Sequence, residues 1–471
     1  MMHKCDRMRG KRGSISLFLC IVFSAVILVE SVYFYGAWIR NVEADLQRCM
    51  NIQISHVLSD YHQTLFESYG LYAAARTDRS PDIFSDCFPY TGRALTSIGT
   101  ERELDSAALF LGATSYARVR FPAVAVSSVR AVLQKATNIL DREDFSKKIK
   151  ESESVTDSYL RPILSGKENV GAILEKAGEF LGVLDVNDSL DRLRGFVDDW
   201  VHSAQRIGSL GLQGAGESSG FGDFTDPASL SKLGTFLDRF VDADIPDILD
   251  DLLFNEYLIA LFDSQLSNES SGGEASAEEN YLSTPFSKIH GENQPDLEYL
   301  FTGDENQDFS RYRANVTIGA IRTVIRIAEL LSDQDDMNRA AEIGAILNVA
   351  VLVLSGGSVE LGADASKYLV IAIWGIGKGV KDVSDLLAGK RIPFFQHDAL
   401  SAGITEVLEM DYRSYFRFLF LFVSREQKLE RCLFILRRDC GDSLPVEVNM
   451  EVVFMNRTFR EKRGYTLYEA L

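Results

Sequence analysis

The sequence predicts a mainly α-helical fold with a minor β component, an α+β chain. An N-terminal transmembrane helix continues into a long amphipathic helix, followed by a helical extracytoplasmic body with a C-terminal strand. Three observations predict this. Residues 13–39 are almost free of charge. Several later segments repeat apolar residues every three to four positions, the period of a helix face. One short segment near the end alternates apolar and polar residues, the period of a half-buried strand.

The N-terminal run from Gly13 to Ile39 reads GSISLFLCIVFSAVILVESVYFYGAWI, with Glu30 as its one charge. A helix needs about 20 apolar residues to cross a bilayer, so this run is long enough. Lys4, Arg7, Arg9, Lys11 and Arg12 precede it and are the expected topology determinants. By the positive-inside rule they keep residues 1–12, a basic tail, in the cytoplasm and leave the bulk of the chain outside it. Tyr33, Tyr35 and Trp38 fall at the outer interface and are the expected interfacial anchors. Glu30 lies near the same end. A carboxylate close to lipid gains most from a partner, which makes Glu30 the candidate contact to another membrane helix. A cleaved signal peptide would carry small residues at an A-x-A-like site. Bulky aromatics follow Val29 instead, so a retained single-pass anchor in the cell membrane is expected.

From Ala37 to Tyr69 neither Gly nor Pro occurs. Val42, Leu46, Met50, Ile54, Val57, Tyr61, Leu65 and Tyr69 recur at spacings of three and four, which predicts one helix continuing the anchor. Gly70 stands where a C-cap would. Residues 40–202 hold this helix and a mixed α/β region, with strands expected at Leu95–Ile98 and Ala107–Gly112 and a helix at Ser127–Leu140. Residues 203–225, rich in Gly and Ser, form a flexible linker. A helical pair spans 226–263. Asp226-Pro227 opens it with an N-cap and a first-turn proline, and a second helix begins near Pro246 and runs through Leu252, Tyr257 and Leu261. Residues 264–295 form a polar linker.

Residues 296–471 form a helical C-terminal domain ending in a strand. Ile318, Ile321, Val324, Ile325, Ala328 and Leu331 make a helical stripe. Ser424 and Gln427 fit a capping box, and Arg437, Arg438 and Gly441 suit a helix end. Val446, Val448, Met450, Val452 and Phe454 alternate with Glu447, Asn449 and Glu451, a half-buried strand. Ile343–Leu354 and Tyr368–Ile376 are apolar but shorter than a membrane crossing, so buried core helices are expected.

The formal charge is −19; residues 1–40 carry +4, which leaves −23 on the remainder. Such a polyanion repels phosphate backbones, so no nucleic-acid partner is expected. Among Cys5, Cys20, Cys49, Cys87, Cys432 and Cys440 no pair has C-x-x-C spacing. Cys49–Cys87 and Cys432–Cys440 are the bridges open to the outer cysteines, with unpaired buried thiols as the default.

Chemical motifs thin out under inspection. Gly216 to Gly220 matches G-x-S-x-G but sits in a Gly/Ser loop, not on a strand-to-helix turn. Gly375-Ile376-Gly377-Lys378-Gly379 lacks the Walker spacing and reads as helix packing. Asp304, Asn306 and Asp308 begin like a calcium loop, but Phe309 replaces its glycine. His56 and His62 are six residues apart, off the shared face that a helical metal pair uses. No catalytic, cofactor-binding or metal-ligating residue is assigned, and no cofactor is expected.

The opening Arg12-Gly13-Ser14-Ile15-Ser16-Leu17-Phe18 resembles the TadE/TadG-like proteins of tight-adherence (Flp) pilus loci, although Phe18 stands where pilin-type processing usually wants Glu. From Leu252 to Asp439 an ordered set of short motifs follows: Asn255-Glu256-Tyr257 with Phe262; Glu298-Tyr299-Leu300 with Gly303; Trp374, Asp382, Leu386-Leu387 with Gly389-Lys390 and Pro393; then Tyr412, Tyr415 and Arg431. This set resembles an uncharacterised Firmicutes membrane-protein family, a domain of unknown function associated with tight-adherence loci. The resemblance implies a surface-assembly context and supplies no active site. The expected function is a membrane-anchored, non-enzymatic envelope protein, a structural or accessory (pseudopilin-like) component of a Flp-type pilus or secretion apparatus. Its expected partners are the membrane lipid bilayer and other membrane or pilus-assembly proteins. The alternatives are a ligand-binding or sensory ectodomain, which would show a pocket with convergent polar groups, and an extracellular hydrolase.

Overall fold

A helix of 54 residues, α1 (Asp6–Ser59), opens the chain. The computed structural model describes residues 6–75, 83–120, 195, 245–266, 294–354, 362–394, 409–420 and 422–466. The elements after α1 are α2 (Gln63–Tyr69), α3 (Ile83–Cys87), β1 (Ala94–Glu103), α4 (Ser106–Arg120) and α5 (Ile245–Leu261). Next come α6 (Asp296–Thr302), α7 (Gln307–Ser332), α8 (Gln334–Leu354) and α9 (Ala363–Leu387). The chain continues with β2 (Ile392–Pro393), β3 (Glu409–Met410), α10 (Tyr412–Leu419), α11 (Arg425–Cys440), β4 (Pro445–Phe454) and β5 (Arg457–Gly464). The linker at 203–225, most of that at 264–295, the helix expected at Ser127–Leu140, the start of the helical pair and the Gly216–Gly220 motif lie outside the described residues. Two compact units result: Met1–Phe66, Leu71–Ala108 and Cys440–Leu471 form the first, and Glu67–Gly70 with Leu109–Asp439 the second.

In the first unit α1 has two environments along its length. Leu17, Phe18, Phe23, Leu28, Val29 and Phe34 are 63–68% exposed. Among the described residues α1 is the one helix long and apolar enough to cross a membrane, with a mean hydropathy of 2.4 and nothing buried over that stretch. Beyond it, Val42, Leu46, Met50, Ile54 and Val57 are buried as their spacing predicts. They pack against Val448, Met450, Val452 and Phe454 on one face of β4. Each large apolar side chain taken from water in this way contributes about 1.5–3 kcal/mol.

The sheet is antiparallel with order β1-β4-β5. Its register pairs Ile98 with Met450 and Glu451 with Arg460. Met455 and Asn456 turn the β4–β5 hairpin with φ of 49° and 57°, the left-handed pair of a two-residue hairpin turn. The strand expected at the C-terminus is therefore the centre of a sheet. The sequence reading missed β5 because Arg457, Arg460, Glu461, Lys462 and Arg463 give it a mainly exposed, charged pattern with little apolar alternation.

Two expectations in this region need correction. The helix does not run unbroken to Tyr69. It stops at Ser59, the His62 Nδ1 accepts the Leu65 amide at 3.2 Å to start α2, and Tyr61 bridges to Ala74. Leu65 and Tyr69 stay buried, while Tyr61 is 38% exposed. Ala107–Gly112 is helix, not strand, because the Asp105 carboxylate accepts the Ala108 amide at 2.7 Å and caps α4. Leu95–Ile98 is strand, as expected, within a longer β1.

In the second unit α7 and α8 both pack on α9. The stripe Ile318, Ile321, Val324, Ile325, Ala328 and Leu331 is buried throughout. The calcium-like start is a helix cap: Asn306 accepts the amides of Asp308 and Phe309 at 3.0 and 3.2 Å, and Asp304 pairs with Arg313. Ile343 and Leu347 of α8 are buried but Val349 and Leu352 are 60% and 38% exposed, so the burial expected for Ile343–Leu354 holds for one face only, while α9 buries Leu369, Val370, Ile371, Ala372 and Ile373. The glycine run on α9 is a packing surface. A Cβ on Gly375 would meet Ile327 Cγ1 at 2.3 Å, and one on Gly379 would meet the Thr323 backbone nitrogen at 2.9 Å. The Ser424–Gln427 capping box is present at 3.4 and 3.3 Å, and Gly441 ends α11 at φ 99°.

Among the described residues no two cysteines are joined in a disulfide. A Cys432–Cys440 bridge is ruled out, since both lie on α11 and eight residues of helix rise about 12 Å, beyond the reach of a disulfide.

Gly379→Ala is expected to destabilise the protein by about 1–3 kcal/mol, because the backbone of α7 cannot yield to the new methyl as a side chain would. Urea denaturation of the detergent-solubilised chain would measure this.

Candidate functional site

Charged residues placed inside the apolar stripes of the second unit set its chemistry. On α7, Arg322 and Arg326 are four residues apart and share a face, with Glu329 three further on. Asp382 of α9 lies opposite. Both arginines are inside the unit, 0% and 2% exposed. Asp382 Oδ2 accepts from Arg322 Nε at 2.9 Å, Arg322 Nη2 at 2.6 Å and Arg326 Nε at 2.7 Å, while Oδ1 accepts from Arg326 Nη2 at 2.8 Å. Arg322 Nη1 donates to the Phe394 carbonyl at 2.8 Å and Arg326 Nη1 to Glu329 at 2.7 Å. Two positive and two negative groups thus cancel in a volume where an unpaired charge would cost several kcal/mol. The Tyr415 hydroxyl lies beside this cluster and is pushed up to about 12, chiefly by burial.

A second knot joins α6, α7 and α10. Glu298 is 0% exposed. Its Oε1 accepts from the Tyr412 hydroxyl at 2.9 Å and from the Gln265 amide at 3.0 Å. Asn315 Oδ1 accepts from Gln265 Nε2 at 2.8 Å. Glu298 Oε2 has no hydrogen-bond partner among the described residues. Burial pushes the Glu298 carboxyl up to about 7, against the opposing pull of the Gln265 amide. Burial and then the Glu298 charge hold the Tyr412 hydroxyl well above its usual range.

Further pairs tie α5 to α10 and α11. Arg417 donates from Nε and Nη2 to the two carboxylate oxygens of Glu256, at 2.8 and 3.1 Å. Lys428 donates to Asn255 Oδ1 at 2.7 Å, and burial brings its amine down to about 8. Arg438 bridges Asp296 at 3.1 Å and Asp439 at 2.7 Å; burial raises Asp296 to about 6 although Arg438 opposes it. These groups hold helices in register, and each pair is closed by its own partner.

The group of polar side chains that faces open space lines a cleft of about 310 Å³, walled by Phe301, Thr302, Arg313, Thr317, Phe422 and Arg431, among others. Arg431 donates from Nη1 to the Leu300 and Phe301 carbonyls at 2.8 and 2.6 Å, tying the end of α6. Its guanidinium lies over Gly303, whose φ is 78° and where a Cβ would sit 2.6 Å from Nη2. Only glycine fits that C-cap on both counts. Burial lowers the Arg431 guanidinium, and Arg313 adds repulsion. Arg313 is held by Asp304 and Arg431 by the two carbonyls, so the cleft has a polar edge that is already partnered and aromatic walls at Phe301 and Phe422.

The residues singled out from the sequence lie elsewhere. Lys4 is outside the described residues, and Arg7, Arg9, Lys11 and Arg12 occupy the first turns of α1. Glu30, Tyr33 and Tyr35 are exposed on α1. Trp38 is brought together with Tyr35, 6.0 Å between ring centroids, and meets Tyr90 edge-on at 5.9 Å. Sequence reasoning missed Arg322, Arg326 and Arg313. The available signal was a charged pair at helical spacing inside the Ile318–Leu331 stripe. Several motif residues that carried the family resemblance prove to be buried polar or aromatic ones: Asn255, Glu256, Glu298, Asp382, Tyr412 and Tyr415, with Arg431 half-buried.

Residues 226–440 match the model of a family described as "Family of unknown function (DUF5702)". An uncharacterised domain is therefore present where the ordered motifs fall. No curated protein and no solved structure matches the chain.

Asp382→Asn leaves two buried guanidiniums with half their compensation and is expected to cost about 3–5 kcal/mol, read as a shift in the urea midpoint. Glu298 supplies a pH test. Because folding raises its proton affinity from 4.5 to about 7, its contribution is fully present below about 4.5 and disappears as pH rises through 7. That contribution is on the order of 3 kcal/mol. Stability between pH 5 and 8 should fall in the native chain, and Glu298→Gln, which mimics the neutral acid, should flatten the profile.

Proposed function

We propose that this chain is a single-pass membrane protein, N-terminus in the cytoplasm and bulk outside it, which works by protein contacts as an accessory component of a tight-adherence (Flp) type pilus or related secretion apparatus. One observation carries the anchoring. The same helix exposes a long run of large apolar side chains and then, from Val42 on, buries a stripe against the sheet. Residues 16–38 span about 35 Å as helix, close to the roughly 30 Å of a bilayer core. Water would oppose so large an exposed apolar surface, while lipid would cover it. The basic residues before it support the orientation, and the TadE/TadG-like opening supports the assembly context. Glu30 is the contact to another membrane helix.

A membrane-anchored ligand-binding or sensory ectodomain is the second reading, favoured by the cleft between Arg313 and Arg431. It predicts that filling the cleft with Thr317→Trp abolishes a response while leaving recovery of membrane partners unchanged.

The full chain should stay in the membrane through alkaline carbonate washing and need detergent for release, and deletion of residues 13–39 should make it soluble. Protease added to intact cells should digest the portion after Arg40. Recovery of the full chain without detergent would overturn the anchoring. Glu30→Gln should reduce co-purification of membrane partners several-fold, and unchanged recovery would remove Glu30 from the account.

A further inference from the structure

We infer that Cys49 and Cys87 are a redox modification site, two thiols placed to close into a disulfide once an oxidant reaches the first unit. The packing around them carries this. Cys49 lies on the buried face of α1, 5% exposed, between Leu46 and Met50. Cys87 ends α3 and is exposed. Cys87 stands one helical turn beyond Phe84, which is held to Gln53 one turn beyond Cys49, so the two thiols face each other, and the neighbouring Cys87 acts on the Cys49 thiol. Their meeting belongs to the fold and is not a chance approach of a loose segment. The Phe84 amide donates to Gln53 Oε1 at 3.0 Å, one helical turn beyond Cys49, and Phe84 and Phe88 are each 1% exposed in the same core. The α3 segment is thus fixed to α1 on both sides of the thiol pair.

The asymmetry between the two thiols orders the chemistry. Burial, the neighbouring Cys87 and Asp45 raise Cys49, which makes it the poorer nucleophile while both are reduced. Exposed Cys87 reacts first. With oxidised glutathione as the oxidant, the Cys87 thiolate attacks one sulfur, the glutathione S–S bond breaks and one glutathione leaves as thiol. The Cys49 thiolate then attacks the Cys87 sulfur of the mixed disulfide, and the second glutathione leaves. The protein gives up two thiol hydrogens and two electrons, one S–S bond forms, and two glutathione thiols result. A disulfide-bearing protein oxidant would serve in the same way. The bond would staple α3 to the stretch of α1 just beyond the proposed anchor.

That an oxidant meets the pair in the cell rests on the extracytoplasmic placement proposed above, and the two claims separate experimentally. The full chain would be extracted from membranes in detergent, its free thiols alkylated with N-ethylmaleimide under denaturing conditions, and the digest analysed by mass spectrometry. A Cys49–Cys87 linked peptide pair, absent from Cys87→Ser, is the expected result and supports both claims. If both residues arrive alkylated, the native detergent-solubilised chain is treated with oxidised glutathione. Formation of the linked pair then supports the site and counts against an oxidising location. A glutathione adduct that stays on Cys87, or pairing of Cys49 with another cysteine, would overturn the proposal. A Cys49→Ser control should stop at the Cys87 adduct.

Discussion

The carboxylate of Asp382 sits between two arginines that are 0% and 2% exposed, and the arrangement of the second unit depends on that contact. Burying Arg322 and Arg326 is tolerable only while Asp382, Glu329 and the Phe394 carbonyl take up their donors. The demand for short distances fixes how closely α7 and α9 approach. Gly375 and Gly379 permit the approach by offering no Cβ where Ile327 and Thr323 lie. Small residues and buried charge are therefore two halves of one constraint. Relaxing the glycines would lengthen the ion pairs, and removing the carboxylate would leave the close-packed helices around an unbalanced charge.

The buried polar seam also explains why the ordered motifs of residues 252–439 are polar in so apolar a setting. Glu256 with Arg417, Asn255 with Lys428 and Glu298 with Tyr412 each join helices distant in sequence. Apolar contacts favour association of helix faces without fixing register. Directional hydrogen bonds in a low-dielectric interior add that information, because a slip of one residue would strand a charge. Glu298 is the exception that makes the seam responsive. One of its oxygens is without a partner among the described residues, so the neutral acid suits the site better than the anion does.

The first unit answers a different physical problem. Its helix α1 is continuous in backbone and discontinuous in surroundings, exposed and apolar along one stretch and buried beneath β4 along the next. A continuous helix leaves no unsatisfied backbone groups between these stretches. The sheet resting on the second stretch is built from segments far apart in sequence, β1 and the β4–β5 hairpin, so α1, α3 and β4 share one core.

Much of this organisation was legible in residue patterns. The charge-free run from Gly13, the stripe Val42–Val57, the stripe Ile318–Leu331, the Ser424–Gln427 cap and the alternation at Val446–Phe454 each follow from a local periodicity or a local hydrogen bond, and local terms survive into the fold. The break at Asp60 did not show, because it is imposed by the Tyr61–Ala74 bridge and the His62 cap, not by a glycine or proline. Strand β5 did not show because pairing with β4 places charged side chains on it that no apolar period marks. The candidate site was the least legible part. Its residues could be seen as polar letters in apolar stripes, but which carboxylate would meet which guanidinium is a matter of three-dimensional approach. Sequence by itself determined the stripes Val42–Val57 and Ile318–Leu331, the Ser424–Gln427 cap and the apolar stem, since these depend on neighbours a few positions away. Tertiary structure alone decided the partnering of Arg322 and Arg326 with Asp382, the cleft between Arg313 and Arg431, and the meeting of Cys49 with Cys87, since each requires packing to bring together groups that the chain keeps apart.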